Sequence, residues 1–91
     1  MHWRRAAAKV LASRGESERA EALAREALAL TEPTDMLDAQ GDAWFDLGHV
    51  LELAGKPDEA AAALEEASSR FERKENLLML GRTRERLAAL T

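Results

Sequence analysis

Four polar residues offer the chain's clearest chance of site chemistry: Asp42, Asp46, His49 and Glu52, spaced by four, three and three. Residues three and four apart are neighbours on a helix, so this quartet falls along one side. Carboxylates beside an imidazole can hold a divalent cation or act as an acid–base pair. A single helix, however, presents ligands from few directions, and one histidine adds little to a metal shell. The quartet therefore reads as a solvated or partner-facing stripe with Asp46 and His49 as a mild ion pair. No metal and no other cofactor is expected. Other chemistries lack their parts. G-x-x-x-x-G-K-[ST], G-x-G-x-x-G and H-E-x-x-H do not occur, so phosphate cradles and the zinc-binding helix are missing. No serine has a plausible base beside it. Cysteine is absent, which removes thiol nucleophiles, disulfides and thiolate metal sites. The chain is not expected to be an enzyme.

The elements that carry these residues must be helices in one small domain. The chain has 91 residues. Domains of this size bury only about 60–65% of the surface their unfolded form exposes, too little for two lobes around a deep cleft. Alanine and leucine dominate, tyrosine is missing, and strand formers are too scarce for a sheet. No run approaches the ~20 apolar residues of a membrane span. The opening Met1-His2-Trp3-Arg4-Arg5 precedes three alanines, but Lys9 and Arg14 break the stretch, so it reads as a short amphipathic helix and not as a signal peptide. The lack of cysteine fits a reducing cytoplasm.

Sparse breaks divide the chain. They are Gly15-Glu16-Ser17, Thr31-Glu32-Pro33-Thr34, Gly55-Lys56-Pro57 and the weaker Arg73-Lys74-Glu75-Asn76. Glycine suits the left-handed position after a helix, and proline suits the first turn. Five helices are predicted, at about 2–14, 17–30, 35–54, 57–72 and 75–90. Their apolar stripes hold Ala20, Leu23, Ala24, Ala27, Leu28 and Leu30, then Met36, Leu37, Ala43, Trp44, Leu47, Val50 and Leu51. The next stripe holds Ala60, Ala63, Leu64, Ala67 and Phe71, and the last Leu77, Leu80, Leu87 and Leu90. Short connections make consecutive helices antiparallel.

The chain also repeats. An offset of 40 pairs Ala8 with Gly48, Leu11 with Leu51, Gly15 with Gly55, Ala20 with Ala60 and Ala27 with Ala67. Leu80-Gly81 matches Leu47-Gly48 at an offset of 33. Ala8, Gly48 and Gly81 are thus expected where two helices press together and only a tiny side chain fits. Ala20 and Ala60 are expected at the nearest approach within a hairpin, and Ala27 and Ala67 against the next repeat. Trp44 and Leu47 would fill the wider gap between layers.

These residues resemble a known pattern. Trp44-x-x-Leu47-Gly48-x-x-Leu51, then Gly55, Ala60, Leu64 and Ala67, resemble a tetratricopeptide repeat over residues 41–74. Residues 1–34 look like a more degenerate copy with Leu11, Gly15, Ala20, Ala24 and Ala27. Glu72 replaces the family's proline, and the third predicted helix starts about six residues early, adding nearly two turns. The texture of Ala8–Gly15, Ala20–Leu30 and Leu53–Ala60 is similar to the C-terminal repeats of large actinobacterial signalling proteins that join a P-loop ATPase to a helical array. The resemblance implies an all-α fold: a short α-solenoid of two antiparallel hairpins (repeat 1 about 1–34, repeat 2 about 35–72) and a capping helix over about 75–90. It also implies a concave face lined by the first helix of each hairpin. Mapped onto this sequence, that face holds Arg5 and Lys9, then Phe45, His49 and Glu52, then Leu78, Arg82 and Glu85. Phe45 either anchors a partner or packs on the neighbouring helix. The family's clamp for peptide carboxylates is not expected, because Asp46 and Glu75 stand where it needs Asn and Lys.

Charge completes the reading. Residues 1–34 carry six Lys/Arg against five Asp/Glu, residues 35–71 two against nine, and residues 72–91 five against three. Basic ends flank an acidic middle. The expected function is non-catalytic recognition of a protein or peptide segment, basic in character, on the concave face. Nucleic acid would want a larger basic stripe with aromatics. Two other classes stay open. One is a homo-oligomeric assembly module joined through its repeat ends, where Trp3 and Leu11 lie. The other is a regulatory piece of a larger signalling ATPase or transcription regulator.

Overall fold

A computed structural model describes residues 16–90. It is all-α, with helices α1 (Ser17–Thr31), α2 (Leu37–Leu53), α3 (Pro57–Lys74) and α4 (Leu77–Leu90). The expected helix over 2–14 lies outside the described residues. Packing runs from neighbour to neighbour: α1 on α2, α2 on α3, α3 on α4. Across α1 and α3, the pairs Glu21–Lys56, Arg25–Glu59 and Glu32–Arg70 advance together, so these helices run in the same direction. Asp38–Asn76 and Glu52–Arg86 show the same for α2 and α4. Between α2 and α3 the order reverses, with Gly41 beside Phe71 and Gly48 beside Leu64. The result is a helical-repeat arrangement in two layers, α1/α3 and α2/α4. The α2–α3 hairpin is complete, and α4, the last helix of the described residues, is stacked on it.

Local chemistry sets the ends. After α2, Gly55 takes φ +76. Its N–H donates to the Glu52 carbonyl (3.1 Å), and the Lys56 N–H donates to that of Leu51 (3.0 Å). These paired bonds are a Schellman stop. Pro57 then opens α3 with Asp58 and Glu59 in the first turn, where the macrodipole favours carboxylates. The same stop recurs after α3: Glu75 N–H donates to Glu72 and Asn76 N–H to Phe71, with Glu75 at φ 63. Asn76 then caps α4, its Oδ1 accepting from the Met79 N–H at 3.2 Å.

The core follows the predicted stripes with named exceptions. Ala20, Ala24, Ala27, Ala43, Leu47, Val50, Leu51, Ala60, Ala63, Leu64, Ala67, Phe71 and Leu80 are buried. Burying a side chain the size of Phe71 contributes about 1.5–3 kcal/mol. Leu30, Met36 and Leu77 are exposed instead, each near a helix end where the expected stripe outruns its neighbour. Four polar residues take buried places: Thr31, Gln40, Asp46 and Thr83. The two threonine hydroxyls donate to the carbonyls one turn back, Ala27 and Met79, and so need no water. The Gln40 side-chain amide is held in the α1–α2 loop, where its Nε2 donates to the carbonyls of Glu32 and Thr34. Boundaries also shift. α2 begins at 37 and not 35, α3 runs to 74 and not 72, and α4 begins at 77 and not 75.

Small residues behave as expected in the hairpin and not at its end. A Cβ on Gly48 would lie 2.8 Å from the Leu64 Cγ and 3.4 Å from the Ala60 carbonyl oxygen. Gly41, which the repeat comparison missed, meets the Phe71 ring at 2.5 Å by the same measure. Gly81 has nothing within 4 Å, so the expectation of a tight crossing there is overturned: no helix of the described residues stands against that side of α4.

Candidate functional site

The face shared by α2 and α4 gathers the predicted polar residues. Arg86 Nη2 donates to Glu52 Oε2 at 2.8 Å and to His49 Nδ1 at 3.0 Å. A guanidinium only donates, so in this contact Nδ1 is the accepting nitrogen. One turn from the other end, Asn76 Nδ2 donates to Asp38 Oδ1 at 3.1 Å. These contacts hold two parallel helices side by side. Between them Phe45 and Met79 are half-buried against Ala67, Phe71 and Leu80. Packing on the neighbouring helix is thus what Phe45 does, with a rim left to solvent. Trp44 is likewise half-buried and not buried.

On α4, Leu78 is 68% exposed, and Arg82 and Glu85 are exposed. Spacings of four and three put them along one strip, which Arg86 borders. The structure therefore brings His49 and Glu52 together with Arg86, and leaves Leu78, Arg82 and Glu85 open beside them. Arg5 and Lys9 lie outside the described residues. Arg86 was missed as a site residue because the family register points to Arg82, one turn earlier. The signal available was its place as the basic residue one turn beyond Arg82 on the same strip.

The quartet spreads around α2. At about 100° per residue, Asp46 and Glu52 diverge by about 120° around α2. Asp46 is buried at 4% exposure, whereas His49 and Glu52 turn to Arg86. Among the described residues no group of three or more His, Cys, Asp or Glu could hold a metal ion.

A second concavity, of about 310 Å3, lies between α1 and α3 over α2. Trp44, Leu47 and Leu51 floor it, and Arg25, Glu59 and Glu66 rim it. Its charges satisfy one another: Arg25 approaches Glu59 at 3.8 Å, and Arg70 bonds Glu66. Beside it, Arg70 Nη2 donates to Glu32 Oε1 at 2.7 Å and its guanidinium lies 5.6 Å over the Trp44 ring. Trp44 Nε1 donates to the same Glu32 oxygen at 3.2 Å. This group ties the C-terminal end of α1 and the last turns of α3 to the middle of α2. At the opposite end, Lys56 and Arg25 donate to Glu21, which holds its carboxyl below the usual range, and Glu21 in turn raises Lys56. No helix of the described residues is long and apolar enough to cross a membrane. No protein-family model, curated protein or solved structure matches the chain.

Proposed function

We propose that this domain is a non-catalytic recognition module of the tetratricopeptide kind, working in the cytoplasm, that docks a basic protein segment on the face shared by α2 and α4. The observation that carries this reading is the parallel pairing of those helices through Arg86, His49 and Glu52, with Leu78, Arg82 and Glu85 exposed alongside. A face preformed by packed helices loses little conformational freedom on binding. Exposed leucine supplies apolar contact, and the acidic residues of α2 supply attraction for cations. Arg5 and Lys9 extend the same face if the first helix forms as the repeat implies.

A face of two helices is small, so affinity sits in the micromolar range, at about −8 kcal/mol or weaker. Screening displayed peptides against the 91-residue chain and mapping hits by amide shifts tests this. Shifts confined to His49, Glu52, Leu78 and Arg82 support the reading. Hits that map only to the outer side of α1 and α3, or no hits at high micromolar peptide, overturn it.

A further inference from the structure

The bare side of α4 has a filled counterpart within the same molecule. At an offset of 33, Leu77, Gly81 and Arg84 correspond to Trp44, Gly48 and Leu51 of α2. On α2 these three residues receive α3. Leu51 is buried with Ala60 and Ala63, Gly48 admits Leu64 and the Ala60 carbonyl, and Trp44 lies under Arg70. On α4 their counterparts face outward: Leu77 is 75% exposed, none of the described residues approaches Gly81 within 4 Å, and the Arg84 side chain is 63% exposed. The notch keeps the glycine and the spacing around it and differs in two side chains: Leu77 stands where α2 has Trp44, and Arg84 where α2 has Leu51. Where α2 offers Leu51, α4 offers a cation.

We propose that this side of α4 receives an acidic helix from a protein partner. The helix that fits is described by α3 itself, which meets Gly48 with alanine and leucine four apart and opens with Asp58 and Glu59. A partner built that way sets its leucine over Gly81 with the carbonyl of its alanine alongside, and brings its first-turn carboxylates to Arg84. Glu72 stands 3.7 Å from Arg84 with both side chains largely exposed, so it competes weakly. This surface is separate from the α2–α4 recognition face and does not depend on it.

The test uses the full chain, isotope-labelled, and a synthetic peptide of residues 57–74 with blocked ends as the acidic helix. Expected are amide shifts at Leu77, Gly81 and Arg84 that saturate below about 1 mM and weaken with salt. Gly81→Leu fills the notch in open space, so it should reduce binding by about tenfold or more without lowering the melting temperature. Arg84→Glu should weaken binding by about threefold, and a peptide with Asp58→Lys and Glu59→Lys should recover that loss. The proposal is overturned by an absence of shifts, by unchanged binding to Gly81→Leu, or by shifts centred on His49 and Glu52. Shifts spread through the whole core would mean that the peptide displaces α3, and self-association of the chain through this side would name a second copy as the occupant; either result also overturns it.

Discussion

Three glycines of one helical protein respond to the same substitution with opposite signs. Gly81→Ala should stabilise the fold by about 0.5–1 kcal/mol, because a helical glycine costs that much against alanine and nothing stands near its missing Cβ. Gly48→Ala should destabilise by about 1–3 kcal/mol, the usual range for overpacking, because its Cβ would meet Leu64 at 2.8 Å. Gly41→Ala should cost at least as much, since the buried Phe71 ring cannot swing away. Urea melts of the three variants check the order, and a stabilised Gly48→Ala would refute the hairpin packing. The contrast also shows what was legible in the sequence. Periodicity and the 40-residue offset reveal that Gly48 shares a side with Leu51. They cannot reveal whether a helix stands opposite, so Gly81 was assigned a tight crossing that it does not make. Thr31 and Thr83 escaped for a different reason. Each hydroxyl bonds a carbonyl one turn back, which makes a polar residue behave as an apolar one in the core.

At the scale of elements, the stops were readable where glycine or proline stood and blurred where they did not. Gly55-Lys56-Pro57 placed the α2–α3 turn to within a residue. The α3–α4 turn uses the same Schellman bonds with glutamate in the left-handed position, so its sequence carries no glycine to mark it. Left-handed φ costs a residue with a Cβ about 1–2 kcal/mol. Glu75→Gly should recover about 1 kcal/mol of that, measured as a rise in urea midpoint at unchanged m-value, whereas Glu75→Val should lose stability. Helix-to-helix charge pairs add a pH signature. Glu21 has its carboxyl lowered from 4.5 by hydrogen bonds from Lys56 and Arg25. A lowered folded value means that its contribution is present above 4.5 and is lost as pH falls through the folded value. Lys56 is raised from 10.5 by Glu21, so its contribution is present below 10.5 and is lost as pH rises through its folded value. Glu21→Gln should therefore be less stable than the parent at neutral pH, with the difference closing in strong acid and again in strong alkali. A difference that stayed constant into acid would show that Lys56 and Arg25 do not hold Glu21 in solution.

For the molecule as a whole, packing from neighbour to neighbour makes stability uneven along the chain. Each helix of a stacked array gains its stability from the helices it touches, so a final helix with one principal neighbour opens most easily. Here α4 buries only Leu80 and Thr83, whereas α2 buries eight residues and lies between α1 and α3. Polar contacts, Arg86 on His49 and Glu52 and Asn76 on Asp38, join the apolar packing of Phe45 and Met79 in fixing α4 to the second layer. That pairing was the least legible part of the candidate site. The family register aligned α4 with α2 at Leu80-Gly81, and the residue that bridges the layer, Arg86, lies one turn past the position that register selects. Native-state hydrogen exchange should accordingly show α4 amides opening well below the global unfolding free energy, with α2 amides close to it. Arg86→Ala should lower α4 protection by a further ~0.5–1 kcal/mol, a two- to fivefold faster exchange for a partly exposed charge-assisted contact, and leave α2 protection nearly unchanged. Because the recognition face spans both helices, the same variant should weaken segment binding more than its own contact would explain, as the face must first be reassembled. Equal protection along α2 and α4 would mean that the array melts as one unit, and Arg86 would then be a surface ion pair with no part in shaping the face.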